Sequence, residues 1–323
     1  TPSLLAVSQL ETILKTLERR LGLAAQVEIS MEMDPGTFDL NQVRGYAALG
    51  VNRVSLGVQA FQDDLLQGCG RSHNRRDISI AADLIRQVGI SNFSLDLISG
   101  LPGQTLAQWE SSLTAAVDLA PTHLSCYDLV LEPTTAFGKQ YEPGVSPLPS
   151  DEATAQMYRS ASECLTGAGY EHYEISNYAR SRYQCRHNRT YWENRPYYGF
   201  GMGAASYLEG RRFSRPRTRK EYATWVAQGC VADSPLVSEN EQLLEMLMLG
   251  LRLAEGVSLR AIGRRFGTVV VEKICDRLQP YIREGWVHME SDRLRLSDPE
   301  GFLFSNTVLA ELFRALEEGS SGL

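Results

Sequence analysis

Three neighbouring stretches decide the fold: "NRVSLGVQAF" (52–61), "RRDISIAADLIRQVG" (75–89) and "NFSLDLISGLPG" (92–103). The first and third are short, rich in Val, Leu, Ile and Phe, and end in turn residues, so they read as strands. The middle one has helical periodicity and closes on a glycine. Strand, helix, strand within about fifty residues is a parallel β/α unit.

The pattern extends both ways. Upstream, Leu10, Leu14, Leu17 and Leu21 mark a helix, "QVEISMEM" (26–33) a strand before the turn "DPGT", and "DLNQVRGYAALG" (39–50) a helix capped by Asp39. Downstream come the helix "QTLAQWESSLTAAVDLA" (104–120), the strand "THLSCYDLVLEPTT" (122–135), a helix over 151–167 and the strand-like "YEHYEIS" (170–176). Polar residues recur where these strands end: Glu32, Gln59, Asp96, then Tyr127 and Asp128. In β/α barrels that end carries the site. Arg71 follows the Gln59 strand closely enough to return to the same mouth. From residue types alone, Glu32, Gln59, Arg71 and Asp96 suit either a small zwitterion with hydroxyls or a ring of salt bridges inside the barrel.

The chain has 323 residues, 43% of them hydrophobic, and a formal charge of −7, a field that does not attract nucleic acid or anionic membrane. No apolar run approaches the ~20 residues of a membrane span. No signal segment is legible, so a cytoplasmic protein is expected. Six scattered cysteines without a CxxC pair suggest neither a zinc knuckle nor a disulfide framework. "GLPGQT" (100–105) lacks the ending of a phosphate loop and reads as a strand-to-helix connection with Thr105 near the cap. From about Leu236, three helices and a hairpin over "WVHMESDRLRLSD" (286–298) resemble a winged helix. Acidic residues outnumber basic ones there, which argues for a packing domain rather than a DNA reader.

The blocks "EISMEMDPGTF", "GVNRVSLGVQAFQDDLLQGCGRSH", "FSLDLISGLPGQT" and "HLSCYDLVLEPTT" resemble, in order, those of the radical S-adenosylmethionine (SAM) family, in the branch of HemN and HemW. The resemblance implies an α/β fold: a partial (β/α)6-type barrel over 1–180, a linker and ligand segment over 181–235, and a HemN-type small α+β domain over 236–323. It places Glu32, Gln59, Arg71 and Asp96 at positions that contact S-adenosylmethionine. The opening "TPSLL" is similar to the tail of the family's GGGTPS motif, which adds Thr1 to the expected contacts. The family also holds a [4Fe-4S] cluster on three cysteines spaced CxxxCxxC, and this sequence contains no such spacing. The expectation is a chain shortened at its N-terminus that neither ligates the cluster nor makes the radical as written, with the cluster bound, through ligands in the missing part, when the protein is full length.

"HNRTYW" (187–192) followed by "GFGMGAASY" (199–207) is similar to the signature of the HemW branch, which implies heme binding and heme transfer to respiratory proteins. His187 is then the candidate iron ligand, with the Cys185 thiolate as rival and His73, His123, His172 and His288 as weaker candidates. Tyr191, Trp192, Tyr197 and Tyr198 suit a porphyrin face. Gly199, Gly201 and Gly203 permit close approach, and Arg211, Arg212 or Arg215 suit its propionates. A homodimer is compatible with this reading. The alternatives are an oxygen-independent coproporphyrinogen III oxidase, or a remnant that keeps the barrel without its ligands.

Overall fold

The computed structural model describes residues 2–230 and 234–318. The chain divides into two compact units, residues 1–184 and 185–323. In the first unit β1 (Ser30–Met33), β2 (Arg53–Gln59), β3 (Asn92–Ser99) and β4 (His123–Asp128) pair side by side and parallel. The connections carry α1 (Val7–Leu21), α2 (Leu40–Ala48), α3 (Asp63–Gly68), α4 (Arg75–Gln87), α5 (Leu106–Asp118), α6 (Ala136–Gln140) and α7 (Asp151–Gly167). The sheet order is β1-β2-β3-β4-β6-β5.

The end of the sheet differs from a simple continuation of the repeat. The stretch "YEHYEIS" contributes β5 (Glu171–Glu174), which turns straight back as β6 (Asn177–Ala179). β6 inserts between β5 and β4 and runs antiparallel to both. The turn is held against β4 because the Cys126 amide donates to the Ser176 carbonyl at 2.8 Å.

Strand periodicity sorts the side chains into two faces. Met31, Met33, Val54, Leu56, Val58, Phe93, Leu95, Leu97, Leu124 and Cys126 belong to one buried apolar core, which also takes Ile78, Ala81, Ala82 and Ile85 of α4. The alternate positions are Ser30, Glu32, Arg53, Ser55, Gly57, Gln59, Ser94, Asp96, His123, Ser125 and Tyr127, a polar inner face. A parallel sheet usually buries hydrocarbon on both faces. This one spends its second face on chemistry.

The helices begin at caps. Asp39 accepts from the Gln42 amide at 2.9 Å, and Thr105 and Gln108 form a capping box at α5, so "GLPGQT" is a strand-to-helix loop. Trp109 of α5 is buried and donates its indole N–H to the Met157 carbonyl of α7 at 2.8 Å, tying the two helices. Asn74 accepts from the Arg76 and Asp77 amides at 2.9 and 3.3 Å, and Asp77 accepts in return from the Asn74 amide.

The second unit opens with α8 (Arg186–Trp192), a helix the sequence reading does not assign. The hairpin β7 (Ala205–Leu208) and β8 (Arg211–Ser214) and the helix α9 (Arg219–Ala227) follow. Then come α10 (Glu239–Gly250), β9 (Val257–Ser258), α11 (Leu259–Phe266), α12 (Thr268–Arg283), β10 (Val287–Glu290) and β11 (Arg293–Leu296). The three strands pair antiparallel in the order β10-β11-β9, a winged-helix arrangement, and α13 (Glu300–Leu303) and α14 (Ser305–Glu318) end it.

Asn74→Ala removes the acceptor for two helix-end amides and should lower unfolding free energy by about 1 kcal/mol. Urea denaturation of the two proteins measures it.

Candidate functional site

At the carboxyl ends of β1–β4 the inner face opens into a cavity of about 350 Å³. It is lined by Glu32, Asp34, Gln59, Arg71, Asp96 and Tyr127, with Pro2, Met33, Ser55 and Gly57 between them. The four residues singled out from the sequence thus share one site. Thr1 lies outside the described residues. Asp128 is not part of the lining; its carboxylate accepts from the Ser99 hydroxyl at 2.5 Å.

Asp96 forms the floor. The Ser55 hydroxyl approaches its two oxygens at 3.0 and 2.9 Å, and the Ser94 hydroxyl lies 3.2 Å from Oδ1. Burial raises the Asp96 carboxyl above its ordinary range, while the hydroxyls of Ser125, Ser55 and Ser94 and the charge of Arg53 pull it back. Ser94 continues to His123 Nδ1 at 2.8 Å, and His123 Nε2 meets the Tyr173 hydroxyl at 2.8 Å. His123 is fully buried, and desolvation together with Arg53 depresses its pKa well below the usual value, so it is a neutral structural imidazole. Tyr127 is pushed up to about 12 by burial and by the Asp96 charge, which keeps its phenol a proton donor.

One wall is built on a backbone distortion. The β2–β3 register slips between Gly57 and Gln59, a bulge that leaves Gln59 at φ 68°, left-handed for a non-glycine residue. Such strain collects at functional sites. A Cβ on Gly57 would lie 2.6 Å from Asp34 Oδ1 and 3.1 Å from Gln59 Nε2. Glycine is therefore required for those two side chains to converge. Asp34 Oδ1 also receives Arg71 Nη1 at 3.1 Å. From sequence Asp34 reads only as a turn residue of "DPGT"; its place two residues after Glu32, at the strand end, is the available signal. His73, a weak heme candidate, is buried and bonded to the Val58 carbonyl at 3.2 Å.

In the second unit, the "HNRTYW" helix α8 divides its side chains. His187 is exposed and stands edge-on to Tyr191 with ring centroids 4.9 Å apart, and Tyr191 meets Tyr197 at 4.6 Å. Trp192 instead lines a separate cavity of about 620 Å³ with Arg189, Tyr207, Met246, Arg265 and Arg293. Tyr198 stacks with Phe200, both exposed. The four aromatics expected over one porphyrin face therefore do not form a single wall. Cys185 is buried at the start of α8, which removes its thiol from an open ligand position.

The arginines have partners of their own. Arg212 bonds the Tyr197 hydroxyl at 3.1 Å and pairs with Glu245, and Arg215 bonds the Ser206 hydroxyl at 2.9 Å while covering Phe200, Phe213 and Trp225. Arg211 is bonded to the Ser234 carbonyl. Gly199 is required by packing, since a Cβ would fall 2.0 Å from the Ala205 carbonyl oxygen. His172 is buried and stacks on Tyr178 at 4.0 Å, and His288 sits in β10.

Comparison with known proteins agrees with this architecture. Residues 2–116 match the radical SAM superfamily and residues 237–304 match the HemN C-terminal domain. The coproporphyrinogen III oxidase HemN of Escherichia coli, described as a radical SAM enzyme, superposes with a TM-score of 0.82 at 20% identity, over 98% of this chain and 75% of that one. Fold and domains define a radical SAM protein with a HemN-type C-terminal domain.

Sequence relatives narrow the class. The heme chaperone HemW of Synechocystis sp. is 50% identical over 98% of this chain and 82% of its own length. Those of Escherichia coli and Bacillus subtilis are 36% and 34% identical, each over 82% of its own length. The chain belongs to the HemW family.

The fully buried His123 is neutral in the fold but takes up a proton in the unfolded chain below about pH 6.5. Its stabilisation is complete above that value and is lost as pH falls; His73, depressed by burial, acts in the same sense. Unfolding free energy should fall from pH 7.5 to 5.5. His123→Gln should flatten that slope by up to ~1.4 kcal/mol per pH unit, read by urea denaturation at the two pH values.

Proposed function

We propose that this chain is a heme chaperone that keeps an S-adenosylmethionine site in its first unit and presents a heme ligand from its second. The observation that carries the reading is the 50% identity, across nearly the whole chain, to a protein named heme chaperone HemW. The exposed His187 at the head of "HNRTYW" supports it, because an imidazole is a common iron ligand. In this reading heme is cargo, passed on to respiratory proteins in the cytoplasm. None of the described helices is long and apolar enough to cross a membrane.

The β-strand cavity fits S-adenosylmethionine by its donor set. Arg71 offers a guanidinium for the ligand carboxylate. Glu32 and Asp96 offer carboxylates for its ammonium and ribose hydroxyls, Gln59 an amide, and Tyr127 a phenolic proton. The bulge and Gly57 hold these groups around one space before any ligand enters, which lowers the cost of ordering them on binding. Together with a reduced [4Fe-4S] cluster, S-adenosylmethionine supplies a 5′-deoxyadenosyl radical. The residues here do not fit that cluster. Among those described, no three His, Cys, Asp or Glu side chains gather as metal ligands, and the sequence has no CxxxCxxC. The role proposed for the described residues is binding and delivery.

Titration of the purified chain with heme tests the reading. Saturable binding with a shifted Soret band is expected, and His187→Ala should alter the band and weaken binding at least tenfold, about 1.4 kcal/mol. No saturable binding by the parent protein overturns the chaperone reading. An unchanged spectrum and affinity in the variant overturns His187 as ligand. The likeness to HemN at 20% identity concerns the fold alone, so turnover of coproporphyrinogen III is the result that would favour an oxidase instead.

A further inference from the structure

We infer that Asp34 and His73 are positioning residues, a two-sided brace that fixes the Arg71 guanidinium over Gly57 for the carboxylate of the incoming ligand. The inference rests on the reading of the β-strand cavity as the S-adenosylmethionine site. It goes beyond that reading by assigning work to Asp34, a lining residue to which that reading gives no ligand contact, and to His73, which lies outside the lining.

Arg71 lies after α3, in the loop Cys69–Asn74. An arginine on a loop has many rotamers, and each must be given up on binding unless the fold has already removed it. Two contacts do this, one on the guanidinium itself and one on the loop that carries it. From the end of β1, Asp34 Oδ1 takes Arg71 Nη1 at 3.1 Å. From the loop itself, His73 Nε2 reaches back to the Val58 carbonyl at 3.2 Å. A carbonyl only accepts, so the imidazole carries its proton on Nε2.

Val58 lies inside the β2–β3 register slip, flanked by Gly57 and Gln59. Its carbonyl also accepts from the Ala60 amide at 2.9 Å. The bulge therefore exposes an anchor for His73 on the same residue pair that makes room for Asp34 and Gln59. The loop backbone is held as well: the Arg71 amide donates to the Leu66 carbonyl at 2.9 Å, and Gly70 takes φ 68°. His73 is 5% exposed, and a buried ring with one hydrogen bond is a fixed strut. Asp34 also balances the guanidinium charge through one Arg71 amino group, which leaves the other N–H groups of the fork for a ligand carboxylate.

The test is equilibrium binding of two ligands that differ only at the group in question: S-adenosylmethionine and its decarboxylated analogue. Asp34→Asn and His73→Phe should each weaken S-adenosylmethionine about tenfold while leaving the decarboxylated analogue unchanged. His73→Gln, which keeps an N–H of similar reach, should restore most of the loss. Damage to the fold in general would weaken both ligands alike, and that result overturns the brace. So does wild-type affinity for S-adenosylmethionine in Asp34→Asn and His73→Phe when Arg71→Gln binds poorly. If Arg71→Gln itself binds S-adenosylmethionine like the parent protein, the cavity assignment falls, and the brace with it.

Discussion

The half-buried carboxylate of Asp96 is the constraint around which the first unit is arranged. A charged group behind a parallel sheet is costly unless its oxygens are met by donors. Three strands supply them: Ser55 from β2, Ser94 from β3 and Ser125 from β4, with Arg53 adding charge. Those donors need partners in turn, and Ser94 passes its bonding on to His123 and Tyr173. The polar inner face is thus a connected network, and each member limits what its neighbour can be. It also fixes strand register, since a slip of one residue would turn serines toward the helices and leucines toward the cavity.

The second determinant is a local departure from regular pairing. Alternation already puts Gln59 on the inner face, and the slip at Gly57 and the left-handed backbone of Gln59 fall at that same point of the cavity lining. The missing side chain of Gly57 is what lets Asp34 and Gln59 meet there. This departure from regular backbone sits where polar groups converge, as such strain commonly does at functional sites.

The second unit separates packing from presentation on one short helix. In α8, Trp192 and Arg189 line a cavity, and Arg189 pairs with Glu193 and Glu255 at 2.7 and 2.9 Å. His187 and Tyr191 leave on another face, where the imidazole stays exposed. The motif therefore combines a structural half, which seats the helix, with a half open to solvent. The basic run 211–220 follows the same logic. Arg211, Arg212 and Arg215 serve the hairpin and its aromatic neighbours, each through a hydrogen bond.

The sequence by itself determined the β/α alternation, the caps at Asp39 and Thr105, the winged-helix end and the shared site of Glu32, Gln59, Arg71 and Asp96. Those features are written in local periodicity, in turn residues and in polar residues at strand ends. The antiparallel return of β6, the bulge at Gly57, the role of Asp34 and the split faces of α8 were decided only by tertiary structure. Each depends on what lies opposite a residue in space. Asp34 looks like any turn aspartate until the chain brings Arg71 and the bare backbone of Gly57 to it from 37 and 23 residues away.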